Sequence, residues 1–347
     1  MRMTVLASGS KGNSTVISSS RTRVLVDCGL SCRELLRRMA LAGEDPATLD
    51  AILITHEHVD HIAGMPVLAR KLGIPVFITE PTHRAWVRMV TPRTTMSYAQ
   101  WLDHLQQEKL ARAQAAAHIP TYELPSREAG APCLASETWV EPAQTRVEAT
   151  IDLSAQAQIP VDPDVEVDLS PTSNPKPDPT FLPSVEYFQA GRQFSIGDLA
   201  ISPFTIPHDA ADPCGFVFEA DGVRMALATD LGYLPPNVKS ALRRIDVMLL
   251  ESNHDLDMLR DGPYPWSVKQ RVLSRVGHLS NDSAAEFLHK EYDGGAAYIV
   301  LGHLSEANNA PELARLAAER ALNNRMSLLG NRILLAHQST PLDTIHL

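Results

Sequence analysis

The chain has 347 residues, of which 44% are hydrophobic and 21% charged, so it can bury a substantial core as one large domain or two ordinary ones. Its longest apolar runs are too short to span a membrane, and Met1–Ala7 is too short and too strand-like for a secretory signal. The net charge of −10 argues against a nucleic-acid-binding protein, for which a basic surface is expected.

The acidic charge is concentrated in one stretch of the chain. Between Pro92 and Ala190 there are fourteen Asp and Glu against six Lys and Arg, so the rest carries only −2 of the net charge, and the objection to nucleic acid weakens. The same stretch holds twelve of the 25 prolines. We therefore predict a single domain over residues 1–347 with a partly disordered accessory insertion over residues 92–185. Within the insertion, only Trp101–His118 is predicted to form a helix.

The first predicted strand, Met3–Ala7, leads into a turn of small residues, Ser8–Ser14, and Thr15 begins a second strand. The two glycines of the turn permit backbone conformations that other residues resist. Such a turn could present N–H groups, Ser10 and Asn13 to an anionic ligand. It could also be only a hairpin loop.

The next predicted strand, Arg23–Asp27, ends in an acidic residue. Asp27 could brace the later histidine loop from behind, or it could only complete a turn. A helix is predicted to follow, because Ser31 is a suitable N-cap and Glu34 lies three residues further on, as in a capping box.

The four cysteines show neither a C-x-x-C pair nor a disulfide framework. We interpret them as reduced thiols of a cytoplasmic protein. Cys28 and Cys32 could join a metal site, although packing beside the predicted helix is favoured.

The most informative stretch is Thr55–His61, which places three imidazoles and a carboxylate within six residues of one another, directly after a short apolar run. Imidazole suits zinc and other borderline divalent ions, and carboxylate suits harder ones. In an irregular loop, His56 and His58 can point the same way and share one ion. Asp60 and His61 are then left to face a second ion. The alternative is a surface loop that is merely rich in histidine.

Helices are predicted at Gly64–Leu72 and His83–Val90, with a strand at Pro75–Thr79 between them. This alternation indicates an α/β layered core. Beyond the insertion, two hairpins are predicted, at Arg192–Phe204 and Cys214–Ala228, each around a two-residue turn that contains glycine.

Three later strands are each followed by a single polar residue with metal-binding chemistry. His208 and Asp230 follow two hairpin strands, and His303 ends the strand that begins at Tyr298. Alone, each residue is more often part of a turn. Together they supply what a dinuclear centre still needs, namely a third imidazole for the first ion, a bridging carboxylate and a last imidazole for the second ion.

This ordered set of H-x-H-x-D-H, a lone His, a lone Asp and a late His resembles the metallo-β-lactamase superfamily. Finer motifs narrow the resemblance to its YycJ/WalJ-like branch: Ser8–Asn13, Thr55–His58, Pro207–Ala210, Asp230–Tyr233, Glu251–Asp255, Gly277–Asn281 and Leu301–Asn309. The resemblance covers roughly residues 1–91 and 186–347. The long insertion is the main departure from it.

The resemblance implies a four-layer αββα sandwich of the α/β class, with the active site at one edge and two divalent ions, Zn²⁺ or Mn²⁺. The implied ligands are His56, His58 and His208 for one ion, Asp60, His61 and His303 for the other, and Asp230 as the bridge. Two such ions can share a hydroxide and stabilise the attacking and leaving oxygens of a phosphodiester. Asp60 could also orient that hydroxide.

His278 is the candidate for chemistry beyond the metals. By resemblance to the branch that processes tRNA 3′ ends, His278 would contact the scissile phosphate or protonate the departing oxygen. It could also belong only to the cap of the following helix. Glu251 and His254 are predicted to lie behind the ligands, while Ser305 and Asn308 could line the pocket or cap the next helix.

A basic run, Lys269, Arg271 and Arg275, precedes His278 in a predicted helix. Arg271 and Arg275 are four residues apart and would share a face, which makes the run the best candidate for contact with a phosphate backbone. A solvated helix face is the ordinary alternative. Aromatic residues are scarce, at 5%, so a base-stacking platform is weakly indicated. The nearest aromatic candidates are Tyr233, Tyr264 and Trp266.

The leading functional hypothesis is a metal-dependent nuclease acting on DNA, specifically a 5′→3′ exonuclease, as the resemblance implies. A small-molecule or cyclic-nucleotide phosphodiesterase is the first alternative. A metal-binding regulatory module without turnover is the second, although the complete ligand set argues against it. Lactam or thioester hydrolysis ranks lower, because His278 and the Glu251 segment indicate phosphate chemistry.

Overall fold

The computed structural model describes residues 1–91, 178–322 and 331–347. The strands in these ranges are β1 Arg2–Ala7, β2 Ser14–Ser18, β3 Arg23–Val26, β4 Ala51–Leu53, β5 Val76–Ile78, β6 Val185–Tyr187, β7 Phe194–Ile196, β8 Leu199–Thr205, β9 Cys214–Ala220, β10 Val223–Ala228, β11 Val247–Glu251, β12 Tyr298–Gly302, β13 Arg332–Leu335 and β14 Ile345–His346. The helices are α1 Cys32–Leu41, α2 Val59–Ile62, α3 Met65–Leu72, α4 Glu80–Val90, α5 Pro236–Ala241, α6 Leu256–Asp261, α7 Trp266–Val272, α8 Asn281–Lys290 and α9 Pro311–Leu322, with a 3₁₀ turn at Pro46–Thr48.

The strands form two mixed seven-stranded sheets of matching design. The first has the order β14-β1-β2-β3-β4-β5-β6 and the second the order β13-β12-β11-β10-β9-β8-β7. In each sheet, a run of antiparallel pairs changes to parallel pairing, at β3–β4 in the first and at β10–β11 in the second. The parallel strands all point their carboxyl ends to one edge, where loop residues from both halves of the chain can meet.

Alternation along the strands separates the layers. Val24 and Val26 of β3 pack with Phe216 and Leu227 of the second sheet in a core between the sheets, whereas Leu25 faces the opposite side. On the outer face of the second sheet, buried residues of β10–β13 pack against α5, α8 and α9. The result is the α/β sandwich with helices outside two sheets that the sequence predicts.

Helix α1 begins at the predicted N-cap, but the reciprocal half of the predicted capping box is wrong. The Ser31 side chain accepts a hydrogen bond from the backbone N–H of Glu34. The Glu34 carboxylate does not reach back to Ser31. It accepts hydrogen bonds from Arg37 and Arg38 instead, because two guanidinium groups lie one turn further along the helix.

The predicted insertion enters between α4 and β6. Strand β6 pairs in parallel with β5, with Val185 opposite Val76, so the chain returns to the first sheet after the insertion. Leu182 is already buried, which shows that the folded core resumes a few residues before the predicted boundary at 185. The predicted helix Trp101–His118 and the predicted disorder lie outside the described residues. Among the described helices, none is long and apolar enough to cross a membrane.

Candidate metal centre

The seven predicted ligands meet at the edge where β4, β8, β10 and β12 end. Each contributes one ligand atom to a group whose members lie within 4.8 Å of one another. Four such groups occur among the described residues: His56, His58 and His208; Asp60, His61 and His303; His56, His61 and Asp230; and Asp230, Glu251, His278 and His303. The first two groups are the two ligand sets that the sequence predicts, and the third places Asp230 between them.

In the first group, hydrogen bonds to one ring nitrogen of a histidine orient the other nitrogen toward the predicted ion site. The Nδ1 atom of His208 donates to the carbonyl oxygen of Gly277 at 3.2 Å, which turns its Nε2 toward His58 Nδ1, also at 3.2 Å. Nδ1 of His56 lies 3.0 Å from the Thr55 hydroxyl, so Nε2 of His56 is the atom left for a ligand. Orienting one imidazole nitrogen through the other is how proteins fix metal-binding histidines.

The second group is oriented by carboxylates behind it. Nδ1 of His61 lies 2.8 Å from Asp27 Oδ2, and Nδ1 of His303 lies 2.9 Å from Glu251 Oε1. The Nε2 atoms of both rings then converge on Asp60 Oδ2, at 3.6 and 3.7 Å. Asp27 and Glu251 therefore lie where the sequence places them, behind the predicted ligands.

The Asp230 carboxylate clusters with His56 of the first group and His61 of the second, and its oxygens make short contacts with the second group. Its Oδ2 lies 3.4 Å from His61 Nε2, and its Oδ1 lies 3.3 Å from His303 Nε2. The side chain is buried, and Oδ2 makes no hydrogen bond to any described residue. A buried carboxylate oxygen without a partner is costly unless a cation or another donor compensates it.

The unpartnered donor atoms indicate a fit to divalent ions. Besides Asp230 Oδ2, the buried Nε2 atoms of His56 and His303 have no hydrogen-bond partner among the described residues. Buried polar groups are nearly always satisfied, so three such atoms facing one space indicate a cation site. Imidazole and carboxylate donors suit Zn²⁺, Mn²⁺ and similar divalent ions.

The electrostatics of the two groups differ. Burial lowers the pKa of His56 well below its ordinary value, with His61 adding to the effect. Burial also opposes protonation of His303, but Asp230, Asp60 and Glu251 raise its pKa to about 10. The second group therefore lies in a field of carboxylates that favours bound cations.

Backbone conformation aims three of these side chains. Asp27, Asp230 and His303 have φ values of 61°, 62° and 54°, in the left-handed region that residues other than glycine rarely adopt. Asp27 and His303 directly follow β3 and β12, and Asp230 is the second residue after β10. Such strain is typical of functional sites, where the surrounding structure holds a side chain in a required direction.

Glu251 joins the second group to His278. Its Oε1 lies 2.7 Å from Nδ1 of His278 as well as 2.9 Å from Nδ1 of His303, and its Oε2 accepts a hydrogen bond from the backbone of Leu231. Burial would raise the pKa of Glu251, but His278 and His303 lower it to about 2. A carboxylate that is ionised at neutral pH therefore orients both rings.

His278 lies at the rim of the centre, with 22% of its side chain exposed. Its ring centroid is 5.3 Å from that of His208 and 5.1 Å from that of His303. The helix cap that the sequence offers as the alternative role is provided by Ser280, whose hydroxyl accepts from the Ser283 N–H. Capping therefore leaves the His278 imidazole free to face the centre.

His254 is buried, with 1% of its surface exposed, and neither ring nitrogen has a hydrogen-bond partner among the described residues. Burial lowers its pKa to about 4, although Glu251 opposes the shift. The His254 side chain therefore makes no hydrogen bond to any predicted ligand, and its supporting role stays a prediction.

The four candidates for substrate contact separate into two kinds. Ser10 is exposed at the tip of the glycine-containing turn. Asn13 is buried, and its amide contacts Nε2 of His61 at 3.0 Å and Oδ2 of Asp60 at 3.3 Å. Ser305 and Asn308 are also buried and hydrogen-bonded to each other. These contacts favour a role for the last three in holding loops of the centre.

The predicted basic helix face is wrong. Helix α7 ends at Val272, so Arg275 lies beyond it and stacks over the ring of Tyr233. Gly277 explains why the chain turns there, because a Cβ atom would lie 2.2 Å from two carbonyl oxygens of α7. Arg271 instead pairs with Asp209 at 2.6 Å, beside the first group.

Cysteine does not contribute to any of these groups within the described ranges. Cys28 is buried, and burial raises the pKa of its thiol well above the ordinary value, which disfavours the thiolate that a metal would need. Its backbone N–H donates to the His61 carbonyl, so it packs beside the centre. Cys28, Cys32 and Cys214 are free thiols, and Cys133 lies outside the described residues.

Three residues that support the centre were not predicted from the sequence. The Thr55 hydroxyl touches the rings of both His56 and His61, and Glu57 accepts from the Ala211 N–H, which fixes the loop after His208. Asn253 donates to the His303 carbonyl. All three lie inside motifs that carry the family resemblance, which was the available signal. Their roles could not be predicted from it, because most of their partners are distant in sequence.

Comparison with known proteins decides the family. The model of the metallo-beta-lactamase superfamily matches residues 7–121, and that of the beta-lactamase superfamily domain matches residues 146–303. The chain is 30% identical over 315 residues to the exodeoxyribonuclease WalJ of Streptococcus pneumoniae serotype 2, strain D39, covering 91% of this chain and 86% of that relative. This chain belongs to the metallo-β-lactamase superfamily.

Within this superfamily, the chain also resembles the exodeoxyribonuclease YycJ of Bacillus anthracis, with 29% identity over 325 residues, or 94% of this chain and 90% of the relative. Both relatives confirm the YycJ/WalJ-like branch. Among solved structures, the metallo-beta-lactamase fold protein YhfI of Bacillus subtilis matches with a TM-score of 0.55 at 13% identity over 99% of each chain, which confirms the fold. This metallo-β-lactamase family member is a hydrolase.

Proposed function

We propose that this protein is a metal-dependent nuclease that hydrolyses phosphodiester bonds of DNA, as a 5′→3′ exonuclease. The observation that carries the proposal is the 30% identity to the exodeoxyribonuclease WalJ across 91% of the chain. The site supports it, because the complete ligand set is joined by an ordered histidine at the rim. A cytoplasmic location remains a prediction that goes with this substrate.

The proposed ligand roles follow the three groups. His56, His58 and His208 would hold one ion, Asp60, His61 and His303 would hold the other, and Asp230 would bridge them. When bound there, two divalent ions, Zn²⁺ or Mn²⁺, would supply a nucleophile at neutral pH and neutralise the charge of the reacting phosphate.

Side chains beside the ion sites would transfer a proton and orient the attacking water. Glu251 accepts a hydrogen bond from Nδ1 of His278, so Nε2 is the ring nitrogen that would carry the proton for the substrate. His278 would donate that proton to the oxygen that leaves the phosphate. Asp60, of which 24% is exposed, would orient the attacking water.

The test is a metal-supplemented assay on single-stranded and duplex DNA labelled separately at the 5′ and 3′ ends. Stepwise release of 5′ nucleotides that requires Mn²⁺ or Zn²⁺ is expected. The change His278→Ala should lower kcat by about 100-fold, in the range typical of general acid catalysis. The double variant His56→Ala, Asp230→Ala should abolish both metal binding and hydrolysis.

The other functions would appear as distinct results. Turnover of bis-p-nitrophenyl phosphate without cleavage of DNA would identify a small-molecule phosphodiesterase. Metal binding without turnover of either substrate would identify a regulatory module. Release from the 3′ end would retain the nuclease and overturn the proposed polarity.

A further inference from the structure

The turn between β1 and β2 is anchored directly to the second ligand group. The side chain of Asn13 contacts His61 and Asp60, and its Oδ1 accepts a hydrogen bond from the Gly9 N–H at 2.8 Å. Residues Ser10 and Lys11 form the exposed tip. The tip is therefore a fixed part of the rim of the metal centre.

An ion pair joins this tip to the loop after β12. Nζ of Lys11 lies 2.5 Å from Oε2 of Glu306, and the two side chains are 73% and 53% exposed. Glu306 lies three residues after His303. The pair thus connects the two segments that flank the second ligand group, on the solvent side.

The ion pair is not needed to shape the turn. The Lys11 N–H donates to Oε1 of Gln338 at 2.7 Å, and Nε2 of Gln338 donates to the Gly12 carbonyl at 3.0 Å. Together with Asn13, these bonds fix the backbone from both sides. An exposed ion pair adds little to such a framework, so a purely structural account leaves its position at the rim unexplained.

A cation at this tip lies where the substrate would pass. Lys11 lies on the solvent side of the second ligand group, so DNA that extends past the ion sites would meet its exposed side chain. An ammonium group is a compact point charge that binds phosphate oxygens. Beside the first ligand group, Arg271 is likewise paired with an acid, Asp209.

We propose that Lys11 binds a backbone phosphate of the DNA substrate beside the scissile bond, and that Glu306 occupies Lys11 when DNA is absent and competes with that phosphate. This inference rests on the proposed nuclease function and adds a determinant of substrate affinity to it. A phosphate that reaches Lys11 displaces the Glu306 carboxylate, which turns into solvent.

The test compares Lys11→Ala with Lys290→Ala in the full chain with Mn²⁺ and an end-labelled oligonucleotide. Lys290 is a matched control, because it forms an exposed ion pair with Glu286 at 2.7 Å in α8. Lys11→Ala should raise KM roughly two- to fivefold, the scale of one exposed charge contact. The slope of log KM against log salt should fall by about one. Lys290→Ala should change neither quantity.

The variant Glu306→Gln separates competition from structural support. If Glu306 competes with the phosphate, removing its charge lowers KM, opposite to the effect of Lys11→Ala. If the ion pair only supports the loops, both variants raise KM, and the proposal is overturned. Glu286→Gln controls for the loss of one negative charge and should leave KM unchanged.

The two levels of the proposal fail differently. Absence of DNA cleavage by the unmodified enzyme rejects the nuclease function itself. Normal cleavage with Lys11→Ala indistinguishable from Lys290→Ala rejects the role of Lys11 alone.

Discussion

At the residue scale, the centre depends on pairs in which a carboxylate orients a histidine side chain. Asp27 aims His61, and Glu251 aims both His278 and His303. The sequence offered Asp27, at a strand end, as a brace for the histidine loop or as a turn residue, and it predicted that Glu251 lies behind the ligands. It could not predict that one oxygen of Glu251 contacts the rings of both His278 and His303, since the three residues are far apart in the sequence.

Because Glu251 orients two histidines, we expect its conservative replacement to lower activity or metal affinity strongly. Glu251→Gln keeps the size of the side chain but removes the charge that orients His278 and His303. We expect kcat or metal affinity to fall by about 10- to 100-fold, as for other residues that orient metal ligands. Steady-state kinetics and metal analysis of the purified protein measure the two effects. Glu286→Gln in α8 is the control, and equal activity of the two variants would contradict the assigned role.

Because His254 is buried, we predict that the free energy of unfolding depends on pH. Burial lowers its folded-state pKa to about 4, below the ordinary value of 6.5, so the unfolded chain binds the proton more tightly. Stability is therefore full above pH 6.5 and falls as the pH drops toward 4, by about 1.4 kcal/mol per pH unit. This contribution should be absent in His254→Leu, which removes an imidazole that has no hydrogen-bond partner among the described residues.

Denaturant unfolding between pH 4 and pH 8 measures that contribution. His289→Gln serves as the control, because His289 is an exposed histidine of α8. An acid-induced loss of stability that is the same in His254→Leu as in the unmodified chain would assign it to other groups.

At the scale of elements, loops of the centre approach one another so closely that glycine is required at the contact. In the sequence, only the glycine itself is visible. A Cβ atom on Gly29 would lie 1.6 Å from the carbonyl oxygen of Asp60 and 2.5 Å from the N atom of Asn13. The loop after β3 therefore touches both α2 and the turn after β1. Local sequence gives no sign of this contact, because Gly29 and Asp60 belong to segments that follow different strands.

Gly29→Ala should consequently disturb the second ligand group. We expect a loss of stability of about 1–3 kcal/mol, as for overpacked sites, together with weaker metal binding because Asp60 must move. Gly295→Ala is the control, since its nearest neighbour is 3.4 Å from the added Cβ atom. Thermal unfolding and metal titration test the pair, and normal metal affinity in Gly29→Ala would show that Asp60 tolerates the shift.

At the scale of the whole molecule, the alternation of strands and helices predicted an α/β layered core, and the family resemblance implied the sandwich with its site at one edge. Prediction failed where an element ended for tertiary reasons. Arg275 lies outside α7 because the chain turns closely against that helix at Gly277. The contact between Lys11 and Glu306 also had no local signal, since the two residues are far apart in the sequence.

The insertion gives the last prediction at this scale. All the candidate ligand groups found in the described ranges come from residues 56–61, 208, 230, 251, 278 and 303. Replacing residues 95–175 by a flexible Gly/Ser linker should therefore leave metal content unchanged. The replacement ends before Leu182, because that side chain is buried in the core.

The same deletion removes twelve acidic and four basic residues, so it should also change how DNA binds. Loss of this negative charge lowers electrostatic repulsion of the phosphate backbone, and KM for DNA should fall most at low ionic strength. Metal analysis and kinetics at two salt concentrations test both expectations on one variant. Loss of metal would mean that the segment supplies a ligand or holds the centre together. A KM that rises on deletion would instead indicate that the segment contributes to DNA binding despite its charge.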